Sequence, residues 1–406
     1  MTTEEALEEI SIAKAWSMVA VSLTATLCAN VFINGVAFLI PKLVAGHTSL
    51  AEAALLASMP SFGMMLTLIP WGYLLDRAGE RIVLSVGLGL TAVAGFAAAS
   101  MHSMVAVATF LVLGGMAAAS TIMASGRLVT GCFPQEKRAL AMGIRQTAQP
   151  LGIAVAALVM PELAKRNLSV ALLFPAALCA LAAVASAVGV HDPPRPDRED
   201  ADVEELANPY RGPTLWRIHV ASALLMVPQP VVLTFMLVWF MDKHGLSVTW
   251  AGMLVGASQL LGAVDRIAAG RWADRIGSRM RPVKKIAVAT SVVMGVLALT
   301  DHLHWGFALA VMVVASAIAG DNGLPFTTIP EVAGRYWSGW ALGTQNTFER
   351  LVVAVAPPVF AEVITAAGFP LAFAVCGLFP LFALPVVSLR APSERAKCSP
   401  ASANAS

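Results

Sequence analysis

Charged side chains are scarce in this chain of 406 residues: 13 % are Asp, Glu, Lys or Arg, against the ~25 % usual in soluble domains. A soluble protein of this length needs a charged surface, and these residues cannot build one. Cysteine is sparse too. There are five, and no CxxC or Cys/His cluster occurs, so neither a disulfide framework nor a metal site is supported. No GxxxxGK[ST] phosphate loop is present, which leaves ATP drive within the chain unsupported, and no cofactor is expected. The net charge of +2 is too small to argue for a nucleic-acid partner.

What the chain has instead is apolar length. Hydrophobic residues make up 57 % of it, and they run in stretches of about 20 residues, enough to cross a ~30 Å hydrocarbon core as helix. Twelve such runs can be marked, at 17–40, 51–74, 82–101, 104–131, 139–161, 169–190, 215–241, 250–271, 283–301, 305–329, 339–364 and 369–389. They do not alternate as strands do and are about twice the length of a barrel strand. The expected fold is therefore all-α and integral to the membrane, with twelve transmembrane helices.

One connection differs from the rest. Residues 191–214, "HDPPRPDREDADVEELANPYRGPT", are rich in Pro, Asp, Glu and Arg and cannot bury a core. They divide the chain into a six-helix half at 1–190, a linker at 191–214, a second six-helix half at 215–390 and a tail at 391–406. With the N-terminus inside, cytoplasmic segments hold nineteen Lys and Arg and the opposite side four, Lys42, Lys165, Arg166 and Lys243. That asymmetry places both termini in the cytoplasm and the chain in the cell (inner) membrane. The acidic start "MTTEEALEEISIAK" lacks the basic region of a signal peptide, so the first helix is expected to stay uncleaved.

A repeat then links the two halves. "GYLLDRAGERIV" (72–83) and "GRWADRIGSRMRP" (270–282) share a skeleton: Gly72, Asp76, Arg77, Gly79 and Arg81 fall 198 residues before Gly270, Asp274, Arg275, Gly277 and Arg279. "ALAMGIRQT" (139–147) aligns with "GWALGTQNT" (339–347) at an offset of 200, matching Ala141, Gly143 and Thr147 to Ala341, Gly343 and Thr347. Two motifs at nearly one offset imply parallel repeats about an axis along the membrane normal, an arrangement described for secondary transporters.

The loop at 72–83 resembles the signature of the major facilitator superfamily between helices two and three, and 270–282 resembles its weaker second copy between helices eight and nine. "GIRQTAQPLG" (143–152) is similar to that family's fifth-helix Gly/Pro segment. Glu80 stands where the family usually has a basic residue, Trp272 replaces the usual Leu, and Ala148-Gln149 replaces a Gly before the Pro of the antiporter signature. The resemblance implies two pseudo-symmetric six-helix bundles that rock about a central site, with the loop motifs acting at the gate.

The motif chemistry also stands without the family. Its glycines allow sharp turns and close helix ends. Asp76 and Asp274 suit pairing with a nearby Arg or a helix N-terminus, contacts that form in one rigid-body arrangement and break in another. Alternatively, these are positive-inside anchors in tight turns.

Ionisable groups at membrane depth are costly and mark candidate sites. Glu349 and Arg350 lie about eleven residues into helix eleven, near ~16 Å of depth, and Asn346 completes an i, i+3, i+4 face. Asp265 and Arg266 lie in helix eight, Arg145 and Gln149 share a face of helix five, Asn30 and Asn34 one of helix one, and Asp321 with Asn322 marks helix ten. Structural readings stand beside these: ion pairs between helices for Asp265, Arg266, Glu349 and Arg350, snorkelling for Arg145, and interhelical hydrogen bonds for the asparagines. Arg127, a turn from the end of helix four, reads as a snorkelling anchor. Of seven histidines only His219 falls early in a span, as a weak proton-relay candidate. Pro150, Pro228 with Pro230, and Pro357 with Pro358 predict kinks in helices five, seven and eleven.

The expected function is secondary active transport of a small polar solute, an organic anion being the finer reading, by alternating access, proton-coupled, by a monomer in the lipid bilayer. Asp265, Asp321 or Glu349 would carry the proton. A drug/proton antiporter is the alternative, and a non-transporting sensor the alternative from another class, though linker and tails are too short for a folded sensor domain. An enzyme is not expected, because no nucleophile and base cluster at membrane depth.

Overall fold

The computed structural model describes residues 12–133, 135–192, 209–276, 280–319, 329, 332–333 and 337–386. Among them there is no strand. Helix α1 is Ile12–Gly35, carried on by the 3-10 turn Val36–Leu39 and by Ile40–Ala45. Then follow α2 (Leu50–Ala78), α3 (Glu80–Ser100), α4 (Met104–Cys132), α5 (Gln135–Gln146 with Ala148–Arg166) and α6 (Leu168–Gly189). The second half holds α7 (Pro213–Met226 with Pro228–His244), α8 (Val248–Ile276), α9 (Met280–His302) and α10 (Ala308–Ala319). The last helical stretch, Ser338–Val386, is interrupted at Gly368, whose φ of 82° and ψ of 172° divide it into α11 (338–367) and α12 (369–386). Twelve helical units thus stand where the apolar runs predict twelve spans. Residues 193–208 of the linker and 387–406 of the tail lie outside the described residues.

Local signals explain the ends. Ser49 and Glu52 form a reciprocal capping box at the start of α2, the Glu52 N–H donating to Ser49 Oγ (3.2 Å) and the Ser49 N–H to Glu52 Oε2 (3.0 Å). Asn167 caps α6 by accepting the Ser169 N–H. Gly245, at φ 61°, closes α7 in the left-handed conformation. Pro150 has no N–H for the carbonyl of Gln146, and α5 breaks there, at Thr147. Pro228 likewise starts the second part of α7. α11 stays helical through Pro357 and Pro358, and the interruption at Gly368 falls between the eleventh and twelfth apolar runs. A membrane helix absorbs the missing N–H of an interior proline by local adjustment, as long as neighbouring groups satisfy the carbonyl.

Small residues draw the helices together, as packing in lipid requires. A Cβ on Gly63 would lie 2.0 Å from the Val112 carbonyl oxygen, and one on Gly115 2.0 Å from that of Pro60, so α2 and α4 cross backbone to backbone. A Cβ on Gly152 of α5 would lie 2.7 Å from the Leu27 carbonyl oxygen and 2.8 Å from Asn30 Cβ of α1. Overpacking such a contact costs about 1–3 kcal/mol or more. Gly115→Val is therefore expected to abolish the monodisperse peak in detergent size-exclusion chromatography, whereas Gly89→Val, with open space around it, keeps it. A Gly115→Val protein as stable as wild type would contradict this crossing. On the outside, Leu181, Val184 and Val188 of α6 are among the most exposed apolar residues, a stripe that only lipid suits.

The first half packs α3 against α4 and α6, and α1 against α4, α5 and α6. In the second half α7 and α9 pack along Ser338–Val386, and α10 packs on α8 and α9. The halves meet mainly where α2 packs against Ser338–Val386 and α5 against α8, and the second part of α7 also touches residues 36–45 at the end of α1.

Candidate functional site

The repeated loop motifs define one end of the bundle, here the motif end. Gly79 joins α2 to α3 at φ 88°, a conformation that only glycine adopts without strain, and Asp192 fills the space where its Cβ would point. Gly72, by contrast, touches no close neighbour, as a Cβ there would meet only Met123 Sδ at 3.9 Å. Asp76 pairs with Arg127 of α4. The same guanidinium reaches Glu80, its Nε 3.0 Å from Glu80 Oε1. Glu80 is 1 % exposed, and Arg127 is its counter-charge. This corrects the snorkelling reading of Arg127: its head group turns into the protein because a buried carboxylate at α3 needs a cation. Arg81 donates its N–H to Asp192 Oδ1 (2.9 Å) and its Nε–H to the Ala187 carbonyl (2.6 Å), tying α3 to the start of the linker. Arg77 lies over the Tyr73 ring at 4.4 Å. In the second copy, Gly270, Asp274 and Arg275 sit on α8 with side chains outside the described residues, and Gly277 and Arg279 fall outside them altogether.

The two copies of the fifth-helix repeat share the same pattern of burial. Ala141 and Ala341 are both fully buried, while a Cβ on Gly143 or Gly343 would meet nothing within 4 Å. Arg145, a turn further in, donates from Nη1 to Ser125 Oγ of α4 at 2.9 Å and is half-buried. Gln149 is half-buried, and Arg145 turns to Ser125 and Met142 instead, so their shared face is not a direct pair. Asn30 and Asn34 are buried but satisfied along α1: Asn30 donates to the Thr26 carbonyl (2.8 Å) and Asn34 to the Asn30 carbonyl (3.1 Å).

In α11 the three expected residues are all buried and do not act as one unit. Asn346 donates to the Leu342 carbonyl at 2.9 Å. Glu349 accepts from Gln345 Nε2 at 3.0 Å. Arg350 is 6 % exposed, and its Nε has no hydrogen-bond partner among the described residues. Gln345 extends the group to α7: its Oε1 lies 2.7 Å from Nδ1 of the fully buried His219, whose Nε2 lies 3.1 Å from the Tyr210 hydroxyl. Phe348 and Tyr210 lie nearly parallel to the imidazole, and Trp216 meets it edge-on. Burial raises the Tyr210 phenol above its ordinary value, so it stays an O–H. Asp265 and Arg266 have no described side chains, and Asp321 and Asn322 lie outside the described residues. Gln345 and Tyr210 escaped the sequence reading. The i, i+4 spacing from Gln345 to Glu349 was visible, but the His219 contact across helices was not.

At the end opposite the motifs the halves touch. Thr249, at the start of α8, donates to Glu162 Oε1 near the end of α5, and Glu162 Oε2 also holds Lys165 at 2.6 Å. A Cβ on Gly252 would come within 2.5 Å of the Ala157 carbonyl oxygen.

Membrane-length apolar helices packed in two halves, with buried ionisable residues such as Glu349 and Arg350 inside, are the build of a polytopic membrane transporter and not of an enzyme. Residues 22–357 match the profile of the Major Facilitator Superfamily, and the chain belongs to that family. It is 56 % identical over 378 residues to the MFS-type transporter Rv2994 of Mycobacterium tuberculosis, covering 92 % of this chain and 85 % of that one. Over 145 residues it is 30 % identical to the probable sulfoacetate transporter SauU of Cupriavidus necator, 34 % of this chain and 32 % of that one. Among solved structures it superposes on a D-xylose-proton symporter with a TM-score of 0.74 at 16 % identity, covering 93 % of this chain and 98 % of that one. Its cargo is a small molecule and its setting the lipid bilayer.

Proposed function

We propose that this transporter moves a small organic anion, coupled to protons, by alternating access. The observation that carries the reading is Arg350: a guanidinium buried midway along α11, with an Nε–H lacking an acceptor among the described residues. A buried cation with an idle donor is costly until an anion supplies the acceptor, and the planar fork suits a carboxylate or sulfonate. Sulfoacetate, named for SauU, is such an anion. Glu349, beside Arg350 in sequence, is the favoured proton carrier, and the symporter named for the structural neighbour is consistent with proton drive.

The contacts support an alternating cycle. The described polar contact between halves, Thr249 to Glu162, lies at the end opposite the motifs. The motif-end glycines of α5 and α11 face open space. With Lys and Arg concentrated at the motif end, that end is cytoplasmic by the positive-inside bias. The structure is then the inward-facing arrangement of a monomer in the cell membrane, both termini in the cytoplasm.

The test is a thermal-shift screen of purified protein in detergent against organic anions, sugars, amino acids and lipophilic cations, repeated with Arg350→Gln. Anions are expected to stabilise the wild type and to lose that effect in the variant. Stabilisation by lipophilic cations instead, unchanged in Arg350→Gln, would move the assignment to drug export.

A further inference from the structure

Gln345 is fully buried, and both ends of its amide face an ionisable side chain. An amide has one donor end and one acceptor end, so its partners decide how it points. A carboxylate only accepts. With Glu349 ionised, the NH₂ of Gln345 must face Glu349 Oε1 (3.0 Å), which turns its oxygen toward His219 Nδ1 (2.7 Å). An oxygen there requires a hydrogen on Nδ1. The neutral imidazole is thus held in its Nδ1–H form, with the lone pair on Nε2 facing the Tyr210 hydroxyl at 3.1 Å. The four groups then donate in one direction: Tyr210 O–H to Nε2, Nδ1–H to Gln345, and Gln345 N–H to Glu349.

We infer that His219 Nε2 is a second proton-binding site of the carrier, separate from Glu349, loaded past Tyr210 and coupled to Glu349 through Gln345. The step is balanced: one proton from water at the motif end bonds to Nε2, and the ring becomes imidazolium. The Tyr210 hydroxyl turns its hydrogen away and accepts from Nε2–H, with the Thr344 side chain in hydrogen-bonding range of the phenol. No bond of the amide need change. The positive ring is then joined through one polarised amide to the Glu349 carboxylate, a charge-assisted chain inside a low-dielectric wall. The first part of α7 packs against the 209–211 turn, Ser338–Val386, Ile286 of α9 and the residues Ile329, Val332 and Ala333; among the described residues the ionisable groups linked to His219 are Tyr210 directly and Glu349 through Gln345, with Arg350 next along α11. Tyr210 sits where the linker enters α7, so loading this site reorients a hydrogen bond that holds the linker end to the second half.

The inference rests on the proton-coupled reading, but its test needs no transport. Histidines are labelled with ¹⁵N in the full-length protein in detergent micelles, and the His219 signal is assigned by its loss in His219→Gln. At alkaline pH the expected spectrum shows hydrogen on Nδ1 and a lone pair on Nε2. Acidification is expected to add a proton at Nε2. Gln345→Leu is expected to lose the Nδ1–H form in favour of a tautomer mixture, and Glu349→Gln to keep it, because Gln still offers an acceptor oxygen. An Nε2–H tautomer in the wild type, or a ring that takes up no second proton, overturns the site. So does an unchanged tautomer in folded Gln345→Leu. If the spectra are as expected but uptake into liposomes ignores the pH gradient, the coupling reading alone fails.

Discussion

Arg127→Met is expected to lower stability by about 3 kcal/mol, the low end for removing one partner of a buried ion pair, because Arg127 keeps some solvent contact. The size follows from what stays behind. Glu80 is 1 % exposed, and its carboxylate would be left in the packed start of α3 without the guanidinium that now lies 3.0 Å away. Methionine replaces the aliphatic bulk, so the loss reports charge and not a cavity. Glu80→Gln/Arg127→Met is expected to recover more than half of that loss, since an amide does not need the counter-charge. Asp76→Asn should cost well under 1 kcal/mol, because Asp76 is 62 % exposed and its pair is largely screened. Thermal unfolding in detergent of wild type, Arg127→Met, Glu80→Gln and the double variant closes a double-mutant cycle for this pair. A double variant no more stable than Arg127→Met alone would mean that the two residues do not interact as argued. The family usually places a basic residue where this chain has Glu80. The carboxylate and Arg127 form a pair in which the loop motif keeps its charge balance by a local route.

Much of this architecture is legible in composition and spacing. Twelve apolar runs predict the helical units, and the scarcity of charge is not needed to see it, since each run by itself spans a hydrocarbon core. Pro150 and Pro228 foretold the breaks at Thr147 and Val227 because a missing N–H is a local fact. Gly79 could be read as a turn for the same reason, and its φ of 88° agrees. What stayed hidden depends on which helices touch. Depth along α4 made Arg127 look like a snorkelling anchor, since its partners lie 51 and 47 positions away on α2 and α3. Gln345 looked like one polar residue among several until His219, 126 positions away, came within 2.7 Å of it. Pro357 and Pro358 lie within a continuous helix, because a proline removes one bond but does not oblige a helix to end.

Gly252→Leu is expected to cut transport at least tenfold while leaving the protein folded. The argument starts from the seam between α5 and α8, where a Cβ on Gly252 would sit 2.5 Å from the Ala157 carbonyl oxygen, which belongs to the other half. A backbone oxygen cannot step aside as a flexible side chain can, so a leucine there must separate the two helices. Thr249, three residues earlier, donates to Glu162 across the same seam, and that bond would part with them. In a carrier that alternates between two packings, a wedge in one interface penalises only the state that closes it. A penalty of about 3 kcal/mol would shift that balance by more than a hundredfold. The folded halves should tolerate the change, because Gly252 contacts its own half through α8's remaining faces. A single cysteine at Thr249 in a cysteine-free background reports the shift: a membrane-impermeant maleimide added outside intact cells should label it faster when Gly252→Leu is present. Slower labelling, or transport at the wild-type rate, would mean that the α5–α8 seam does not open in the cycle. Thr249→Ala removes the hydrogen bond without the wedge and is expected to give a smaller shift in the same direction. The closeness of two backbones, more than the polar clasp beside them, therefore sets how firmly this end stays shut.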